Sequence, residues 1–105
     1  IRERVMELLA KLALTEKQNK PAGKISRGEQ QRVAIARAAA NAPPLILADE
    51  PTGNLDAVTT GLVMNLFNEL NQRGSTIIIA THDESIYRET SHRKFELRQG
   101  EMQEL

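Results

Sequence analysis

The 105-residue sequence has no cysteine and no tryptophan, and only one tyrosine and two phenylalanines. Without cysteine no disulfide forms, and the composition is compatible with a reducing compartment. Scarce aromatics leave no basic patch interleaved with stacking rings, which argues against a nucleic-acid partner. No apolar run approaches the roughly 20 residues of a membrane-spanning helix. No charged-then-apolar signal pattern opens the chain either. Net charge is zero, with 14 Lys/Arg against 14 Asp/Glu, yet the balance is uneven. Residues 1–40 hold nine basic and four acidic side chains, and residues 41–105 hold five and ten. The first part is therefore +5 and the second −5. A basic part suits phosphate and an acidic part suits metal ions, although two differently charged solvated surfaces would give the same count. The length fits one small domain. The chain opens on Ile1 inside a helical pattern, as expected of a piece of a longer protein.

What is present centres on Leu45–Asp56, LILADEPTGNLD. Four apolar residues, Leu45 to Ala48, lead into Asp49 and Glu50, and a Pro-Thr-Gly-Asn turn follows. A short apolar run ending at a turn predicts a strand buried on both faces, as in a parallel sheet. Carboxylates just past its end fall at the carboxyl edge, where open α/β sheets bind ligands. The strand pleat points successive side chains apart, which predicts different tasks for Asp49 and Glu50. One suits a divalent cation and the other a polarised water; an acidic strand end before a turn needs neither.

The flanking segments are consistent with that edge. Arg2 to Leu14 places Val5, Leu8, Leu9 and Leu12 at helical spacing. Thr15 to Ile25 is polar and contains Pro21 and Gly23, so it reads as a loop. Its Gly23-Lys24 pair does not make a phosphate loop, since Ile25 replaces the required Ser or Thr and Gln18 replaces the first glycine. Ser26 and Glu29 form a capping box for a helix running to Ala40, closed by Asn41 and the Pro43-Pro44 pair. Its start, with Gly28 in the first turn, is a ready anion site or simply a well-capped helix. Asp56 predicts the N-cap of a helix over Ala57 to Gln72, with Val58, Leu62, Leu66 and Leu70 buried beside Val63 and Phe67, and Gly74 at C′. Thr76 to Thr81 predicts a second buried strand, ending at His82-Asp83. Strand, helix and strand form a βαβ unit that brings Asp49, Glu50 and His82 to one edge. A short helix is expected around Glu84 to Glu89. A hairpin is expected from Lys94–Arg98, turning at Gln99-Gly100 toward Met102 and Leu105.

ISRGEQQRVAIARA (Ile25 to Ala38), LILADEPTGNLD and TIIIATHD (Thr76 to Asp83), in this order and spacing, resemble the second half of an ABC-type ATPase. The likeness covers nearly the whole chain, and Ser91 to Met102 resembles the family's terminal strands. ADEPTGNLD with the short tail is most similar to the FtsE, LolD and MacB group, leaning to the cell-division (FtsE-like) type. The resemblance implies an α/β fold, part of a P-loop ABC ATPase domain, with ATP and Mg²⁺ as ligands. By it, Asp49 closes the Walker B strand and binds Mg²⁺ through water, Glu50 is the general base, and His82 is the switch histidine at the γ-phosphate. Ser26, Gly28 and Glu29 fall on the signature motif that caps ATP held by a second ABC subunit, and Asp56 belongs to the loop crossing that dimer interface. It further implies an integral membrane permease-type partner (FtsX-like) and a cytoplasmic location on the inner face of the membrane.

Two departures qualify this. The glycine-rich phosphate loop with its lysine is not in these 105 residues, so the chain alone is expected to be inactive. Arg27 stands where most transport relatives have glycine; DNA-repair relatives carry Arg there, which keeps a DNA-repair ATPase as one alternative. A truncated, non-hydrolytic chain acting only through partner contacts is the other.

Overall fold

The computed structural model describes residues 2–14, 26–88 and 90–105, so the expected loop over Thr15 to Ile25 lies outside the described residues. Helix α1 (Arg2–Lys11) buries Leu8, with the buried Leu12 and Leu14 just beyond it, while Val5 stays 42% exposed. Helix α2 (Arg27–Ala39) has the expected capping box and turns Ile35 and Ala39 inward. The left-handed residue after it is Ala42, at φ 44°, and not Asn41. Strand β1 (Leu45–Asp49) is followed by α3 (Ala57–Gln72), capped by Asp56 as predicted and closed by Gly74 at φ 110°. Strand β2 (Thr76–Ala80) pairs with β1 in parallel, Leu45 opposite Thr76 and Asp49 opposite Ala80.

The core is one cluster formed by α1, α2, α3 and one face of the β1–β2 sheet. Ile46 is buried in it, and Ala48, Ile77 and Ile79 pack against it. The opposite face differs from expectation. Leu45, Leu47 and Ile78 are 50%, 71% and 56% exposed, so neither strand is buried on both sides. A parallel sheet is buried on both faces only where elements cover both, and the described helices pack on one.

Val58 is the second correction, being 77% exposed. The buried positions of α3 are Val63, Leu66, Phe67 and Leu70, at i, i+3, i+4 and i+7. A row of i+4 steps drifts roughly 40° around the helix per step. Extending the row back to Val58 therefore carries it off the packed face. Lys11 of α1 pairs with Glu69 of α3 across the layer. The segment after His82 forms a single 3-10 turn over Glu84–Ile86, shorter than the expected helix, and Glu89 lies outside the described residues. Strands β3 (Phe95–Arg98) and β4 (Glu101–Glu104) make the expected hairpin as a separate antiparallel pair, with Leu97 opposite Met102.

Candidate functional site

Strand β1 ends at Asp49, so its pleat directs that side chain and not the next one. Glu50 has left the strand, at φ 48°, in the left-handed region that a non-glycine residue adopts only when its surroundings enforce it. Its amide still donates to the Ala80 carbonyl at 2.7 Å, one step beyond the ladder. That turn swings the carboxylate toward the end of β2. Glu50 Oε1 accepts from the His82 amide at 2.9 Å and meets His82 Nδ1 at 2.5 Å; Oε2 accepts from the Thr81 hydroxyl at 3.1 Å. The Thr81 hydroxyl in turn accepts from the Asp83 amide at 2.9 Å. These donors, the His82 ring foremost, then the Thr81 hydroxyl and the His82 amide, hold the Glu50 carboxyl below its usual value. The His82 side chain is fully exposed. The contact is therefore a hydrogen bond at the protein surface rather than a buried ion pair, and it needs the proton on Nδ1.

Asp49 is exposed at the same edge, opposite Ala80. Among the described residues no three His, Cys, Asp or Glu side chains cluster to hold a metal ion. A single edge carboxylate still fits Mg²⁺, which keeps several waters and takes phosphate oxygens alongside one or two carboxylates.

Ser26, Gly28, Glu29 and Asp56 form a second set. Ser26 Oγ accepts from the Glu29 amide at 3.1 Å, and Glu29 Oε1 accepts from the Ser26 amide at 3.0 Å. Gly28 lies close to the loop before α3: a Cβ there would stand 3.4 Å from both the Asn54 carbonyl oxygen and Leu55 Cδ2. Ser26, Arg27, Gly28, Arg32, Asn54 and Asp56 line a shallow open groove. Asp56 accepts from the Thr59 amide at 2.7 Å. That bond first, then the Thr59 side chain and the charge of Arg32, keep its carboxyl below its usual value.

Thus the expected residues fall into two groups, Asp49, Glu50 and His82 at the sheet edge, and Ser26, Gly28, Glu29 and Asp56 around the start of α2. Sequence reasoning missed Thr81 and Gln31. Gln31 Nε2 donates to the carbonyls of Glu50, at 3.0 Å, and Pro51, and its Oε1 accepts from Asn54 Nδ2 at 3.3 Å. Thr81 adjoins His82, which is a usable hint. Gln31 carries no local signal, since its partners lie 19 to 23 residues away.

Residues 1–53 match the family described as ABC transporter. The chain belongs to that family. The lipoprotein-releasing system ATP-binding protein LolD of Aquifex aeolicus is 46% identical over 96% of the chain and 45% of its own length. The cell division ATP-binding protein FtsE of Escherichia coli K12 is 44% identical over 97% of the chain and 46% of its own length. The dimeric, post-hydrolysis structure of the ATP-binding cassette MJ0796 bound to ADP and Pi superposes with a TM-score of 0.85, at 41% identity over 98% of this chain and 46% of that one. This ABC chain therefore spans less than half the length of these relatives, and its α/β fold is that of part of an ABC ATPase cassette.

Proposed function

We propose that these residues are the C-terminal part of a longer ABC ATPase domain that binds and hydrolyses ATP to drive a membrane complex. The FtsE-like cell-division role and lipoprotein or efflux export are the candidate tasks. In this reading Glu50 is the general base that takes a proton from the attacking water. His82 holds the Glu50 carboxylate and reaches toward the γ-phosphate. Asp49 is the carboxylate that would hold Mg²⁺, which supplies charge stabilisation at the phosphates. Ser26, Gly28 and Glu29 present a helix start to ATP on a second ABC subunit, and Asp56 lies in the loop between the two subunits. The partners are that second subunit and an integral membrane permease, with the domain on the cytoplasmic side; no described helix is long and apolar enough to cross the membrane itself.

The observation that carries the reading is the pairing of Glu50 with His82 and Thr81 across the ends of two parallel strands. A carboxylate held by fixed donors beside a second edge carboxylate is equipped to orient a water next to a metal-bound phosphate. The test is Glu50→Gln in the longer protein, which keeps shape and removes the base. ATP still binds and the dimer persists on light scattering, while turnover falls. Turnover within a few-fold of the unchanged protein would reduce Glu50 to a strand-end acid.

A further inference from the structure

We propose that Gln31 is a positioning residue that joins the start of α2 to Glu50 by fixing the left-handed turn on which Glu50 stands. The proposal rests on the reading of Glu50 as the base. Three contacts carry it: one side-chain amide group donates to two successive carbonyls, those of Glu50 and Pro51, while its oxygen accepts from Asn54. Both ends of the amide are thus used on one five-residue turn. Pro51 is buried and Gln31 half-buried, so water competes less for the two bonds to the Glu50 and Pro51 carbonyls than for the exposed bond from Asn54.

The Glu50 backbone is otherwise held by its amide on Ala80 and by the Gly53 amide on its carbonyl, at 3.2 Å. A non-glycine residue at φ 48° keeps that conformation only while such contacts outweigh its strain. Removing Gln31 leaves the Glu50 carbonyl held, among the described residues, by the Gly53 amide alone and the Pro51 carbonyl without this donor, so the turn loosens and the carboxylate shifts from its place against Thr81 and His82. Gln31 also lies three residues after Gly28, on the same side of α2. A shift of the first helical turn is therefore passed directly to the Glu50 carbonyl. If Ser26 and Gly28 face ATP on a second subunit, Gln31 lets the occupancy of that site adjust the base of this chain's own site.

The test uses the longer, ATP-hydrolysing protein, with Glu50→Gln as reference. Gln31→Glu keeps the shape but turns acceptor against acceptor, Gln31→Met keeps the length without polarity, and Gln31→Lys restores a donor. Misplacing a catalytic group by about 1 Å costs up to roughly 10²-fold. The expected result is a kcat lower by about 10–100-fold in Gln31→Glu and Gln31→Met, KM for ATP changed less than about threefold, and partial recovery in Gln31→Lys. A kcat within about threefold in folded Gln31→Glu overturns the proposal, as does an equal loss in all three variants. Amide exchange of Gly53 and His82 reads the turn without catalysis and is expected to quicken by about tenfold or more in Gln31→Met. Unchanged exchange overturns the proposal, whatever Glu50→Gln shows. Retained turnover in Glu50→Gln, with exchange quickened, faults the catalytic reading and leaves the positioning role standing.

Discussion

At the end of β1 the Glu50 carboxylate receives three donors from the 81–82 segment of the same chain, whereas the start of α2 opens onto a groove. The capping box accounts for Ser26 Oγ and the Glu29 amide. Helix geometry gives the amides of Arg27 and Gly28 no acceptor within α2. The sheet edge is thus an arrangement complete within the chain, and the helix start is a surface with capacity for a further anion. On the proposed reading, a site shared between two subunits uses both regions: one chain prearranges the Glu50 carboxylate, and the other contributes a helix start as a cap.

The largest effect is expected at Glu50: as the proposed base it would contribute roughly 10²–10⁴-fold, so Glu50→Gln is expected to lower turnover by that order. At the helix start, Ser26→Arg removes the cap and places bulk and charge where, on the proposed reading, the amides meet phosphate. Turnover is expected to fall by roughly 10²-fold or more, the scale of losing one preorganised donor at a developing charge. Arg27→Gly is the contrasting variant. Arg27 is the first helical residue and is exposed on the groove. On that reading its guanidinium adds a charged donor beside phosphate, but its bulk opposes close approach. Because Gly28 still leaves one bare backbone step, the two effects nearly offset, and activity is expected to change by less than tenfold. Paired ATPase rates at saturating ATP, with dimerisation followed by light scattering, check both variants. A rise of hundreds-fold in Arg27→Gly would mark the unchanged helix start as blocked.

Much of this was legible in the sequence where the cause is local. The capping box at Ser26 and Glu29, the Asp56 cap and the Gly74 stop each depend on a few adjacent residues, and α3 spans the expected Ala57–Gln72. The parallel pairing followed from two apolar runs joined by one helix. What failed depends on what packs from a distance. The open face of Leu45, Leu47 and Ile78 reflects which elements are present to cover it, and composition cannot report that. Val58 failed because its periodicity was followed too far around the helix. At the candidate site, residue types were readable, but their pairing was not. The left-handed Glu50 and its Gln31 support arise from a contact between α2 and the 50–54 turn, with no counterpart in either motif alone.

A smaller effect of pH is shared by the two regions. The Asp56 carboxyl lies below its ordinary value of 3.8 because the Thr59 amide and side chain donate to it and Arg32 lies near. A depressed carboxyl stabilises the fold above its unfolded value, and the contribution disappears as pH falls through the folded value. Asp56→Asn keeps a good N-cap side chain without a titrating group. The thermal midpoint of this variant is expected to depend less on pH below about pH 4. Glu50→Gln should flatten the same acid limb, since Glu50 shifts in the same direction. An unchanged acid limb in both variants would show that these hydrogen bonds do not stabilise either carboxylate in the fold.

The smallest effect concerns Thr52, in the turn that links the two regions. Thr52 is 4% exposed, and among the described residues its hydroxyl has no hydrogen-bond partner. Its backbone carbonyl is used, accepting from the Leu55 amide at 3.2 Å, and substitution leaves that bond in place. A buried hydroxyl without a partner has lost its water and gained nothing, so a methyl group of similar shape should fit at least as well. Thr52→Val is therefore expected to leave stability unchanged or raise it, by about 1 kcal/mol at most. Thr52→Ser keeps the unpaired hydroxyl but loses the packed methyl, which should lower stability by roughly 1 kcal/mol. Denaturant midpoints at constant m-value compare the pair. If Val is the less stable of the two, the hydroxyl has a partner in the folded protein. The turn would then be held by a polar contact, as Glu50 is, and not by packing alone.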